Sequence, residues 1–412
     1  MTLVLSEPYR PAAGIMSSVP SAVRVQTLRP IMLLCTAAFC ASTCLRITDP
    51  LLPEVANAFG VTTSRASVIV TAFALAYGLA QIIYGPIGDR FGKYSVITLA
   101  VTLSAMVIAA AATAHSLVAL AMFRLVAGTT TAAILPLSLA YVGDAVPYEV
   151  RQPVLARILS GQLLGVICGQ SLGGILIHFV SWRVVFVLLG VTFGVVASLL
   201  WVELRSPRVV QVRTPTPLEL HKLLVQYAVL VKAPRPRAVL LAISVEGAVF
   251  FGTLAYLGAF LRQAFGLDFV RVGLILGCFG LGGLGYSLCA RWIVPLAKEH
   301  GMIRLGGSIL AVCLIALARL PGYALPPLMA ALGFALYMFH NTLQTKATQM
   351  AVEARGAAVS LFYSCFFLSQ AIGAAVLGVA IGQFGYGAVF VSGGVVLLLL
   401  SLWFSRITGP KQ

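Results

Sequence analysis

A helix needs about twenty mostly apolar residues to cross the hydrocarbon core of a bilayer. Stretches of that length recur along this chain, parted by short polar or Gly/Pro-rich breaks. Twelve can be placed, at about residues 31–52, 68–87, 95–113, 117–139, 157–179 and 184–203, then 239–260, 270–290, 304–320, 325–345, 357–380 and 387–404. In lipid a spanning segment must satisfy its own backbone polar groups, so the pattern predicts an all-α integral membrane protein. Of 412 residues, 60% are hydrophobic and 10% charged. A soluble domain carries roughly 25% charged residues, so an ordinary soluble enzyme is excluded.

The charged residues are unevenly placed. Lys and Arg number 28 against 12 Asp and Glu, a formal charge of +16. Twenty-one of the bases fall in the N-terminal segment, loops 2–3, 4–5, 8–9 and 10–11, the central polar stretch and the tail. Five (Arg65, Arg183, Arg262, Arg271 and Arg319) fall on the other side, and Arg46 and Arg124 lie inside spans. By the positive-inside rule both termini and the central stretch are expected in the cytoplasm. The positive charge is therefore topological, no nucleic-acid partner is expected, and attraction to anionic headgroups of the lipid bilayer is a secondary consequence. The first 29 residues have no apolar run leading to a cleavage site and are expected to stay on the chain. All 8 cysteines sit in apolar stretches without C-x-x-C or Cys/His spacing, and they read as packing residues with no metal site or disulfide framework.

The one long polar stretch holds Pro207, Pro215, Pro217, Pro234 and Pro236. The expected organisation is residues 1–29 as an N-terminal segment, 30–203 as a six-helix bundle, 204–237 as a central loop, 238–405 as a second six-helix bundle and 406–412 as a tail. The halves echo each other. Ala58-Phe59-Gly60-Val61, followed by Arg65, matches Ala264-Phe265-Gly266-Leu267, followed by Arg271, at an offset of 206. At an offset of 204, Glu149-Val150-Arg151 matches Glu353-Ala354-Arg355, and Gly169 and Gly174 match Gly373 and Gly378. Duplicated bundles of this kind place a substrate site at the repeat interface.

Loop 2–3 reads Gly85-Pro86-Ile87-Gly88-Asp89-Arg90-Phe91-Gly92-Lys93. It resembles the major facilitator superfamily signature G-x-x-x-D-R-x-G-[RK], and the loop 8–9 copy has Pro295 where Asp89 stands. In span four, Arg124 and Gly128 resemble the superfamily's R-x-x-x-G element, implicated there in proton coupling. The plain alternative is an arginine that clamps backbone carbonyls. Span five carries Gly165-Val-Ile-Cys-Gly169-Gln170-Ser-Leu-Gly173-Gly174, similar to the g-x-x-x-G-P-x-x-G-G motif of the proton-coupled drug-efflux branch, with Gln170 in place of proline. Plain small-residue packing would also explain these glycines.

Two acids complete the set. Asp49 lies near the expected outer end of span one, three residues from Arg46, so the pair can share a helix face. It resembles the first-helix Asp/Pro pattern of exporters in this superfamily, or else it is an interfacial pair ending the helix. Glu246 sits a turn or two into span seven among apolar neighbours, with no base nearby in sequence, where a carboxyl suits reversible protonation. His340, Asn341, Gln344, Gln81, Gln162 and Gln370 are polar residues in spans that could line a cavity.

The resemblance implies twelve transmembrane helices in two pseudo-symmetric six-helix bundles. It also implies a secondary active transporter of the bacterial inner membrane: a proton-coupled antiporter exporting a drug-, sugar- or amino-acid-like molecule by alternating access. Asp49, Arg46, Arg124 and Glu246 are the expected proton or substrate residues, with Arg124 the electrostatic partner of the acids, and Asp89 with Arg90 the gate latch. The expected partners are a small-molecule substrate and protons, with the proton gradient in place of a cofactor and a monomer as the unit. Uptake is the alternative direction, and a non-transporting receptor the alternative class. The 5 histidines are scattered and no G-x-x-x-x-G-K-[ST] loop occurs, so neither a membrane enzyme nor an ATP-driven pump is expected.

Overall fold

The structure, a computed structural model, describes residues 21–210, 220–351 and 355–408. Arg10, Arg213, Pro215, Pro217, Glu353, Ala354 and Lys411 lie outside the described residues. Among those described, nine helices are long and apolar enough to cross a membrane, and a tenth span is a bent pair, Arg29–Arg46 with Thr48–Ala58, meeting at 42°. Two of the helices are too long for one crossing. Phe269–Leu317 has 49 residues and Arg355–Thr408 has 54, which at 1.5 Å per residue exceeds twice a core of roughly 30 Å. Each is broken inside, at Lys298 (φ 52°) and Gly385 (φ 79°). Divided there, the ten make twelve, numbered below in chain order. Apolar side chains such as Met106, Val191, Leu274, Val312 and Ile372, each more than half exposed, give the outer surface its lipid-like character.

The duplication is present in the backbone. Gly60 and Gly266 both take left-handed angles (φ 62° and 64°). Two residues on, the side chains of Thr62 and Asp268 cap the next helix by accepting from the N–H of Arg65 and Arg271. The reversals after spans two and eight also correspond, with Gly92 at φ 90° and Lys298 at φ 52°, again 206 residues apart. Loop 8–9 thus keeps the turn of loop 2–3 with a lysine in the position that suits glycine, at a cost of about 1–2 kcal/mol.

Span five (Tyr148–Phe179) shows what its glycines do locally. Gly161, Gly165, Gly169 and Gly173 recur every fourth residue on one face. Side chains there would collide with span one at Cys35, Phe39, Thr43 and Ile47, which also recur every fourth residue. With no side chain in the way, the two helices touch backbone to backbone. Gly174, on the adjoining face, meets Gly273 of span eight in the other bundle.

Several expected boundaries move. Span one does not end near Asp49: it is helical over Ser21–Arg46, bends, and runs on through Thr48–Ala58. Pro50 falls in the first turn of the second segment, where its missing N–H leaves no bond unmade. Span seven begins at Pro234, not 239, because proline suits the first helical turn. Glu246 is therefore more than three turns into the span. The central stretch is not all loop, since Leu220–Lys232 forms a helix.

Candidate functional site

Two connected cavities lie between the bundles. The wider, about 730 Å³, runs from Tyr77 and Gln81 in span two to Asp89 and Lys93 in loop 2–3, with Leu223 and Tyr227 of the central helix at its rim. The deeper, about 470 Å³, is walled by Arg46, Phe251, Tyr337 and His340. Ser42, Gln162, Gln344, Tyr363 and Phe367 border both. The opening is on the face carrying loops 2–3, 4–5, 8–9 and 10–11. At the opposite end the bundles are in contact. Gly174 packs on Gly273 and Ser171 on Gly277, Gly258 faces Pro50, and Gly378 lies beside Ser64. The halves therefore form a V, closed on the base-poor face.

Mid-membrane, each bundle contributes one buried acid–base pair. In span one, Arg46 Nη1 lies 3.6 Å from Asp49 Oδ2, with side chains 4% and 1% exposed. Neither carboxylate oxygen nor Arg46 Nε has a hydrogen-bond partner among the described residues. In span seven, Glu246 Oε2 lies 3.0 Å from His340 Nδ1 of span ten, and the glutamate is fully buried. Directly after Glu246 the helix widens into a π turn, Gly247–Phe251, an irregularity often found at functional sites. Phe251 touches both pairs. The Arg46 guanidinium sits 4.6 Å from its ring centre, and the His340 ring stands edge-on at 6.3 Å.

Arg124 forms no salt bridge with Asp49 or Glu246 among the described residues, although its charge lies near enough to Asp49 to act on it. Fully buried between spans one and two, it donates to the carbonyls of Cys44 (3.1 Å) and Ile69 (3.4 Å) and to Thr48 Oγ1 (3.3 Å), with Phe73 4.1 Å away under its guanidinium. It braces the bend of span one, with bonds to Cys44 and Thr48 on either side of Ile47 and a further one to Ile69 of span two. Gly128 of the same motif lets span four lie against the backbone of Phe73.

At the open face Asp89 pairs with Lys93 (2.7 Å), which also reaches Asp144 at the end of span four (2.6 Å). The guanidinium of Arg90 lies over its neighbour Phe91. Gly88 abuts Leu137, Gly85 borders the cavity, and Gly92 makes the turn. In the second half Glu299, 206 residues after Lys93, pairs with Lys346 at the end of span ten. The degenerate loop thus keeps an ion pair with its polarity reversed. Gln170, in the proline position of the glycine motif, is fully buried beside Asp49.

His340 and Phe251 are the residues whose importance the sequence leaves least visible. They become partners only when spans seven and ten meet, 94 residues apart for Glu246 and His340. The one advance signal is a titratable residue within an apolar span.

Two helix bundles enclosing a cavity open at one end, with buried ion pairs beside it, are the architecture of a membrane transporter built from duplicated bundles. The family model for the Major Facilitator Superfamily matches residues 34–353, and the chain belongs to that family, whose members are transporters of small molecules. It is 25% identical to the MFS-type transporter YceJ of Bacillus subtilis (strain 168), over 93% of this chain and 97% of that one. It is 23% identical to the probable sugar efflux transporter of Helicobacter pylori (strain G27), over 90% and 93%. In fold it is similar to a mutant form of the nucleoside transporter NupG, with a TM-score of 0.76, 13% identity and coverage of 94% and 100%. It is also similar to a D-xylose–proton symporter, with a TM-score of 0.74, 14% identity and coverage of 91% and 96%.

Proposed function

We propose that this chain is a proton-coupled secondary transporter that carries a small organic solute through the interbundle cavity, and that export from a bacterial cytoplasm is its working direction. The observation that carries the reading is the Glu246–His340 pair, buried at the cavity wall and linked through Phe251 to Arg46–Asp49. A Glu–His pair holds one proton as a neutral unit and changes its net charge by one when a proton enters or leaves, which lets a coupling site respond as its surroundings alternate. The basic open face, taken as cytoplasmic by the positive-inside rule, makes this the inward-open conformer. Export is supported by the span-five motif and by the likeness to the Helicobacter pylori efflux protein.

The sense of coupling follows from the charge of the solute. A cation, or a neutral solute that competes with the proton, gives the antiport expected from the sequence, whereas an anion travels with the proton. Purified protein in proteoliposomes carrying a pH-sensitive dye, screened with lipophilic cations, sugars, amino acids and organic acids, tests the proposal. Solute-dependent proton movement is the expected result. Glu246→Gln is expected to abolish pH-gradient-driven transport with the fold intact, and full transport by that variant would overturn the assignment.

A further inference from the structure

The walls of the deep cavity are chemically one-sided. Its lining includes two ionisable nitrogen bases, Arg46 and His340, and no Asp or Glu among the described residues. The two mid-membrane acids stand behind them: Asp49 is 1% exposed and Glu246 0%, and neither borders the cavity. The rest of the wall is rings (Phe251, Phe279, Tyr337, Phe366) and uncharged polar groups (Gln162, Asn341).

Arg46 is only partly engaged. Among the described residues its one salt bridge is 3.6 Å long, and its Nε has no hydrogen-bond partner although the side chain is almost wholly buried. A guanidinium offers five donors in a planar fork suited to a carboxylate or similar planar anion. A buried donor left unmade costs free energy that a bound acceptor recovers. A cationic solute placed here would meet like charge at short range in a poorly screened cavity, and the face of Phe251 that could attract it is already covered by Arg46.

We infer that the deep cavity binds an organic anion with a ring-bearing apolar body, its charged group on Arg46 and its body against Phe251, Phe279 and Phe366. This rests on the proposal that solute crosses through this cavity, and it names the solute class. His340, which spends Nδ1 on Glu246, presents the rest of its ring to the same space. The anion competes with Asp49 for Arg46. The carboxylate so released, with Arg124 and Gln170 as its other near polar neighbours, then favours a proton. Anion and proton therefore promote each other's binding and move together, outward where the cytoplasmic excess of the anion outweighs the inward proton gradient.

The test is counterflow into proteoliposomes of a panel of aromatic monocarboxylates, each beside its uncharged amide, with tetraphenylphosphonium and a hexose as other arms. Carboxylates are expected to exchange, and to be preferred over their amides by about ten- to a hundredfold, the range for a charge-assisted hydrogen-bond set. Arg46→Gln should erase that preference, and Arg46→Lys, which keeps the charge and packs in similar space, should retain part of it. The preference is a ratio within one protein sample, so it is readable even where the variant lowers yield. Exchange of the phosphonium or the hexose without the carboxylates, or an unchanged carboxylate-to-amide ratio in Arg46→Gln, overturns the anion assignment and leaves the transport proposal standing. Arg46-dependent binding of a carboxylate with no exchange of any solute supports the anion site and overturns the transport proposal instead.

Discussion

The two halves of the molecule carry the same backbone devices and different chemistry. Both have a left-handed residue before a capped helix, both have a left-handed turn opening the third span, and both place one acid–base pair at mid-membrane. In the first half that pair contains arginine, which stays charged throughout the accessible pH range. In the second it contains histidine, which does not. Duplication therefore conserved how the chain turns, while the interior diverged into a bundle with a fixed charge and a bundle with a titratable one. The proton coupling proposed above would use that division: a permanent cation to attract or position, and a group that can switch.

The largest expected effect separates the two pairs. Asp49→Asn leaves the Arg46 guanidinium buried without a counter-charge, which should cost about 3–5 kcal/mol, read as a large fall in the thermal unfolding midpoint in detergent. Glu246→Gln leaves a histidine that can be neutral and an amide that can still bond to it, so its stability cost should stay near 1 kcal/mol while proton-driven transport falls to background. Equal destabilisation by the two substitutions would sink the distinction between fixed and switching halves.

A smaller effect is expected at the contact between the halves. Gly174 and Gly273 meet so closely that a Cβ on Gly174 would lie 2.6 Å from the Gly273 Cα. Gly174→Val must part the bundles on the base-poor face, with an overpacking cost of about 1–3 kcal/mol. Spin labels at Arg65 and Arg271, on that face in opposite halves, should report a longer distance. Gly194→Val, where an added Cβ meets open space, should leave it unchanged.

The legible and illegible parts of this protein divide along physical lines. The all-helical, membrane-spanning character and the loop 2–3 turn were readable because bilayer thickness and left-handed turns act on short windows of sequence. The glycine run of span five was readable as packing, though not its partner, since Cys35, Phe39, Thr43 and Ile47 carry no mark of it. Arg124 was visible as an anomaly, but its role depended on which carbonyls the bend at Ile47 exposed. The Glu246–His340 pair was illegible as a pair, because nothing local ties span seven to span ten. Glu299 carries no local mark of its role, because Pro295 stands where the loop 2–3 aspartate falls. The preserved feature was an ion pair, and its signs had been exchanged.

That exchange allows the finest test, with the smallest energies. Lys93 is 11% exposed and serves two carboxylates, Asp89 and Asp144, whereas Lys346 is 18% exposed and is paired with Glu299, itself 40% exposed. Lys93→Ala removes the cation shared by two acids and should cost about 1 kcal/mol or slightly less, and Lys346→Ala less still, both within the range for exposed ion pairs. Lys346→Glu sets two carboxylates side by side, and adding Glu299→Lys restores attraction with the polarity of the first half. The double variant should therefore recover most of the loss of the single one, with a coupling of about 0.2–1 kcal/mol in a double-mutant cycle on thermal unfolding. A coupling near zero there, beside a measurable one for Lys93 with Asp144, would mean that the duplicated loop kept the position of its ion pair after the pair had ceased to hold anything together.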